Sequence, residues 1–124
     1  MAQARFDCSV TVQYLEDRSE PPDGPFGFSY TVTIRNTGDV AAQLVARHWI
    51  VTDAQERVEE VRGLAVVGHQ PLLKPGESFE YTSWTLIATP HGRMRGTFFC
   101  MTADAHPFEA EVPEFQLVSP GMLH

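Results

Sequence analysis

Lysine is almost missing from this sequence: Lys74 stands alone beside eight arginines and sixteen acidic residues, for a formal charge of −7. A polyanion such as duplex DNA would meet net repulsion with little to offset it, which argues against a nucleic-acid partner. Arg57, Arg62, Arg93 and Arg95 could make local anion sites, yet scattered arginines on a sheet are as a rule solvated or paired with carboxylates. Cysteine is scarce as well. Cys8 and Cys100 are too few for a disulfide framework and too far apart for a metal-binding spacing, so both are expected to be reduced and buried. Long apolar runs are also lacking. No stretch approaches the roughly 18 residues of a membrane span, and Met1-Ala2-Gln3-Ala4-Arg5 has no apolar leader core. A cytoplasmic protein without a membrane partner is expected.

A convincing 3.6-residue periodicity is missing too, which excludes a helical bundle and any fold built on βαβ units. What takes its place is alternation with a period of two. Val10, Val12 and Tyr14 share a face with Cys8, while Ser9, Thr11 and Gln13 point away. A polar run with Pro21, Pro22, Gly24 and Pro25 then breaks the pattern as a surface loop. Phe26, Phe28, Tyr30, Val32 and Ile34 form the clearest strand, ended by Asn36-Thr37-Gly38-Asp39. Residues 43–52 are apolar on both faces, as a central strand covered on both sides would be, with Trp49 as a core anchor.

Residues 57–62 carry mixed charges suited to an exposed edge. Three further strands, at 79–87, 94–103 and 108–117, follow the Pro75-Gly76 turn signal and are separated by Pro90-His91-Gly92 and Asp104-Ala105-His106-Pro107. Pro113 predicts a bulge or an edge position in the last of them. With 124 residues, 43% hydrophobic and 20% charged, residues 1–124 suit a single domain with a real core. The expected fold is an all-β, antiparallel sandwich of about seven strands, of immunoglobulin or fibronectin type III kind, with a closed barrel as the alternative. The order Cys8, Trp49, Cys100 imitates an immunoglobulin domain, but Cys8 falls on the first strand, so the architecture is expected without the disulfide.

Gly63-Leu64-Ala65-Val66-Val67-Gly68 sits on the frame of a dinucleotide-binding glycine motif. That motif needs a parallel strand before it and a helix after it, whereas His69-Gln70-Pro71 and another turn follow here. The preferred reading is a segment crossing between sheets, with Val66 and Val67 plugging the core and the glycines serving special backbone angles; flexible ends would also leave it free to bind. Of the histidines, His48 reads as a hydrogen-bonded core or boundary residue. His69, His91 and His106 are loop residues that could meet only through the fold, and no two histidines have ligand spacing. Glu16, Asp17, Glu20 and Asp23 lack the calcium-loop spacing. No nucleophile motif is present, and no catalytic residue, cofactor site or metal site is assigned.

These residues taken together resemble the ApaG family of small bacterial proteins over nearly the whole length. The resemblance rests on Tyr30-Thr31-Val32-Thr33-Ile34-Arg35-Asn36, Arg47-His48-Trp49, the segment 63–71, Pro75-Gly76-Glu77, Tyr81-Thr82-Ser83, Met94 with Gly96, and His124. Ala65 and Trp84 depart from it, each standing where a glycine is usual. The resemblance implies a fibronectin type III-like sandwich and an association with cobalt tolerance and magnesium transport, with no established enzymatic activity. Similar domains in F-box substrate adaptors and in a DNA-polymerase-interacting protein make protein binding the economical reading.

The leading expectation is therefore a non-enzymatic module that offers a protein partner the loop Gly63, Leu64, Ala65, Val66, Val67, Gly68, His69, Gln70 and Pro71, together with neighbouring strand edges. The alternative is a small-ligand or cobalt- or magnesium-binding protein. An exposed edge that pairs with itself would make a homodimer.

Overall fold

The computed structural model describes residues 3–120; Met1, Ala2 and the C-terminal residues 121–124, His124 among them, lie outside the described residues. The chain runs β1 (Phe6–Leu15), β2 (Phe26–Asn36), β3 (Ala42–Asp53), β4 (Val58–Leu64), β5 (Leu72–Leu73), β6 (Ser78–Ile87), β7 (His91–Thr102) and β8 (Pro107–Val118). A 3-10 turn, Glu16–Arg18, follows β1, and no α-helix occurs among the described residues. The expected strands are all present. The eighth is β5, whose two residues pair with Ala42 and Gln43 and are too short to leave an alternating pattern.

Two antiparallel sheets face each other: β1-β2-β6, and β4-β3-β7-β8 with β5 also on β3. The result is a sandwich and not a closed barrel. Alternation along β2 explains the inner face of the smaller sheet, where Phe28, Val32 and Ile34 are fully buried. From the opposite sheet Leu44, Trp49, Phe98, Cys100 and Leu117 meet them. Trp49 is the anchor expected of it, with its ring edge-on to Tyr30, Phe98 and Phe115 at centroid distances of 5.5, 5.7 and 6.1 Å. Cys8 and Cys100 are both free; Cys100 is buried, but Cys8 is only half-buried, because it lies on the outermost strand of its sheet.

The two long sides of the sandwich differ. On one side β1 packs against β8, with Phe6 edge-on to Phe108 at 5.4 Å, and closes the core. On the other, β4 and β6 are the outer strands. As Pro113 predicted, β8 is an edge strand and is bulged: Met94 pairs with Phe115 and Gly96 with Val112, so Pro113 and Glu114 together oppose Arg95.

One expectation about β3 is overturned. Trp49 and Val51 are buried against the opposite sheet, but Ala46, His48 and Ile50 point outward and stay only partly covered. The mixed apolar pattern has a different cause from burial on both faces. A bulge at Val45, between Leu44 paired with Cys100 and Ala46 paired with Phe99, changes which parity of residues faces the core.

Candidate functional site

The Val45 bulge also governs the loop singled out in the sequence. Its carbonyl accepts the Ala65 amide at 2.8 Å and the Gln70 side-chain amide at 2.9 Å. Beside it, the Leu44 amide donates to the Pro71 carbonyl at 3.0 Å, and the Gln43 side chain donates to the Gln70 carbonyl at 3.0 Å. From the next turn of the strand, Arg47 Nη1 donates to the carbonyls of Leu64 and Ala65 at 2.8 and 2.9 Å. Both ends of the loop are thus held to β3, and the expectation of flexible ends is corrected.

Between those anchors the chain makes a tight hairpin. Val66 and His69 exchange both backbone hydrogen bonds, at 2.8 and 2.9 Å, around Val67 (φ 48°) and Gly68 (φ 80°). Positive φ at both central residues makes this a type I′ turn, whose usual occupants are Asn and Gly. A β-branched residue at Val67 is an outlier in that position, and Ala65 at φ 67° is strained in the same sense. A glycine at position 65, which the resemblance noted above leads one to expect, would take this angle without strain.

The two valines do not share a fate. Val66 is fully buried and plugs the core, as expected, whereas Val67 is 57% exposed at the tip and plugs nothing. The segment does not cross between sheets either, since β4 before it and β5 after it both pair with β3. Its link to the other sheet is His69, whose ring lies 5.6 Å from that of Phe79 on β6. Of the glycines, Gly68 needs its positive φ; Gly63 does not, and is small because the Arg47 guanidinium occupies the space a Cβ would need.

Next to the hairpin, the open face of the five-stranded sheet forms a shallow concavity of about 480 Å³. Leu64, Ala46 and Phe99 lie side by side across β4, β3 and β7, with Leu64 and Phe99 exposed. His48, Arg62, Thr97 and Glu109 complete the lining. His48 Nε2 lies 2.8 Å from Glu60, the boundary position expected of it, and Arg62 reaches the same carboxylate at 3.5 Å. Those hydrogen bonds, from His48 first and then Arg62, hold the Glu60 carboxyl below its ordinary range.

Arg47, Leu64 and Phe99 join the site through pairing, and sequence reasoning reached only Leu64. Phe99 had a faint signal: Phe98 and Phe99 are adjacent on one strand, so one of them must face away from the core.

Among the described residues, no three His, Cys, Asp or Glu side chains cluster to hold a metal ion. His106 is paired with Asp104 at 3.1 Å, His69 leans on Phe79, and His91 opens β7, so these three do not converge. Burial pushes the Cys8 and Cys100 thiols up to about 12, with Asp7 adding to the effect at Cys8 and Cys8 at Cys100. Three of the four arginines considered as anion sites are paired, Arg57 with Asp53, Arg62 with Glu60, and Arg93 with Glu56 and Glu114. No helix among the described residues is long and apolar enough to cross a membrane.

Comparison with known proteins agrees with this architecture. The family model described as the ApaG domain matches residues 16–102. Protein ApaG of Ralstonia nicotianae is 57% identical over 124 residues, covering all of both chains. Protein ApaG of Bordetella pertussis is 53% identical over 116 residues, or 94% of this chain and 88% of the other. A Bordetella pertussis crystal structure described as an ApaA protein superposes with a TM-score of 0.91 at 51% identity, covering 94% of this chain and 95% of that one.

Proposed function

The chain belongs to the ApaG domain family, and from that premise we propose that it is a non-enzymatic binding module whose hairpin tip and adjoining open sheet face receive a protein partner. The observation that carries this reading is Val67. An exposed, β-branched side chain sits at a backbone angle that disfavours it, on a hairpin fixed at both ends by hydrogen bonds to β3. Strain of this kind persists where function requires the side chain, and a preformed loop loses little entropy on docking. The neighbouring surface suits a macromolecule better than a small ligand. Leu64, Ala46 and Phe99 make an apolar strip rimmed by His48, Arg62 and Glu109, an open shape with an apolar centre and a polar border. A cytoplasmic location is part of the proposal, in keeping with two unpaired thiols.

The test is site-specific photocrosslinking in cells from position 67, compared with position 109 on the rim and with position 31 on the outer face of the opposite sheet. Crosslinks to one discrete protein from 67 and 109 but not from 31, lost when Phe99→Asp is added to a chain that still melts cooperatively, are the expected result. Equal labelling from all three positions would sink the reading.

A further inference from the structure

Edges of a sandwich need a reason not to pair with another chain, and three of the four here have one or lack the means. β1 and β8 close on each other, and β8 also carries Pro107, Pro113 and the bulge. β6 has Glu80 but no basic residue to complement it. β4, with the sequence Val-Glu-Glu-Val-Arg-Gly-Leu, has neither proline nor lysine, and Val58, Val61 and Leu64 on it are 62%, 38% and 72% exposed. Those are three of the eight exposed large hydrophobic residues among the described ones, concentrated on seven residues of chain.

We propose that β4 is the seam of a homodimer, in which it pairs antiparallel with β4 of a second copy about a two-fold axis at Val61. This register makes every position complementary to its opposite. On the outer face Val58 meets Leu64 of the second copy, and Glu60 meets its Arg62, each pair occurring twice by symmetry. On the inner face Val61 meets Val61. Glu59 there lies across from Gly63, whose missing side chain leaves room for the Arg47 guanidinium, so a carboxylate again faces a cation. A register shift by one residue places Glu60 opposite Val61 or Val61 opposite Arg62, and a shift by two places Glu60 opposite Glu60 or Arg62 opposite Arg62, so each loses this match.

The backbone is disposed for the same register. The Arg57 carbonyl and the Ala65 amide both bond to β3, at 3.0 and 2.8 Å, so the odd-numbered residues of β4 are spent on β3. The amides and carbonyls of Val58, Glu60 and Arg62 and the Leu64 amide are left on the free edge, the Leu64 carbonyl already accepting from Arg47 with one lone pair, and it is these residues that the two-fold axis sets opposite one another. The joined sheets would run β8-β7-β3-β4 in one copy and β4-β3-β7-β8 in the next. A seven-residue seam is small for an interface, so the dimer is a reversible one whose population rises with concentration.

The inference does not rest on the partner-binding reading. Val67→Asp, at the hairpin tip and off the seam, should leave dimerisation intact while crosslinking to the partner from position 109 is lost. The experiment is sedimentation velocity over a concentration series up to about millimolar on wild type, Glu60→Arg and Arg62→Glu, with folding followed by circular dichroism. Wild type is expected to dimerise reversibly, and each single variant to associate at least about tenfold more weakly because like charges then oppose across the seam. An equimolar mixture of the two variants is expected to regain wild-type association, since every Arg then faces a Glu. A wild type that is monomeric throughout, single variants that dimerise as wild type does, or a mixture that fails to recover would each overturn the proposal.

Discussion

The Trp49 indole lies directly over Gly96, its pairing partner on β7, so closely that a methyl group at position 96 would overlap the six-membered ring. The glycine is therefore the floor of the core's largest aromatic cluster, and its value lies in the side chain it does without.

Gly96→Ala must push the indole away from Tyr30, Phe98 and Phe115, and overpacking of this kind costs about 1–3 kcal/mol. The expected result is a lower midpoint in urea with an unchanged slope, accompanied by altered Trp49 fluorescence. An unchanged midpoint would mean that the ring has somewhere else to go.

The hairpin should respond in the opposite direction. Val67→Asn places a residue suited to φ 48° before Gly68, and Ala65→Gly relieves φ 67°; each is expected to stabilise the fold by about 0.5–1 kcal/mol. Thermal denaturation reads the gain. Val67→Asn should at the same time weaken crosslinking to the partner from position 109, because the apolar tip is gone. Stability and binding moving together would contradict the role given to Val67.

Much of the fold was legible. The alternation from Phe26 to Ile34 gave its strand and its inward face, and Pro113 announced both the edge and the bulge. What escaped depends on pairing. A strand such as β3, apolar on two faces, looks the same whether a second layer covers it or a bulge changes its parity, and nothing local to Val45 distinguishes these cases. Arg47 reaches its acceptors seventeen and eighteen residues ahead, a relation that exists only once β3 and β4 are aligned. The positive φ of Val67 was hidden for a similar reason, since a valine advertises the opposite preference and only Gly68 hinted at a turn.

Asp53 gives the protein an acid limit. Burial alone would raise its pKa, but hydrogen bonds from the Arg57 amide and guanidinium and from the Gln55 amide outweigh that and hold it below its ordinary value. A depressed carboxylate stabilises the fold above its unfolded pKa of about 3.9 and loses that contribution as pH falls through the folded value. Denaturation of wild type and Asp53→Asn should differ most near neutrality and converge in acid. A constant difference from pH 7 down to pH 2 would show that charge is not the cause.

At the alkaline end the thiols act. With folded pKa values pushed up to about 12 against roughly 8.5 in an unfolded chain, Cys8 and Cys100 favour the fold below the lower value, and the contribution fades as pH climbs toward the upper one. Both should resist iodoacetamide at pH 8 and react readily in urea, as followed by intact mass. Rapid native labelling of Cys8 would mean that its half-buried position exposes the sulfur.

The bulge at Val45 also has a use in engineering. Because the loop is fastened by a carbonyl of β3, by Arg47 and by the two flanking glutamines, its anchorage owes nothing to the identity of the residues at the turn itself. Positions 67 and 68 are accordingly a splice point where a guest epitope can be grafted and displayed at a fixed angle, with the sandwich beneath serving as its mount.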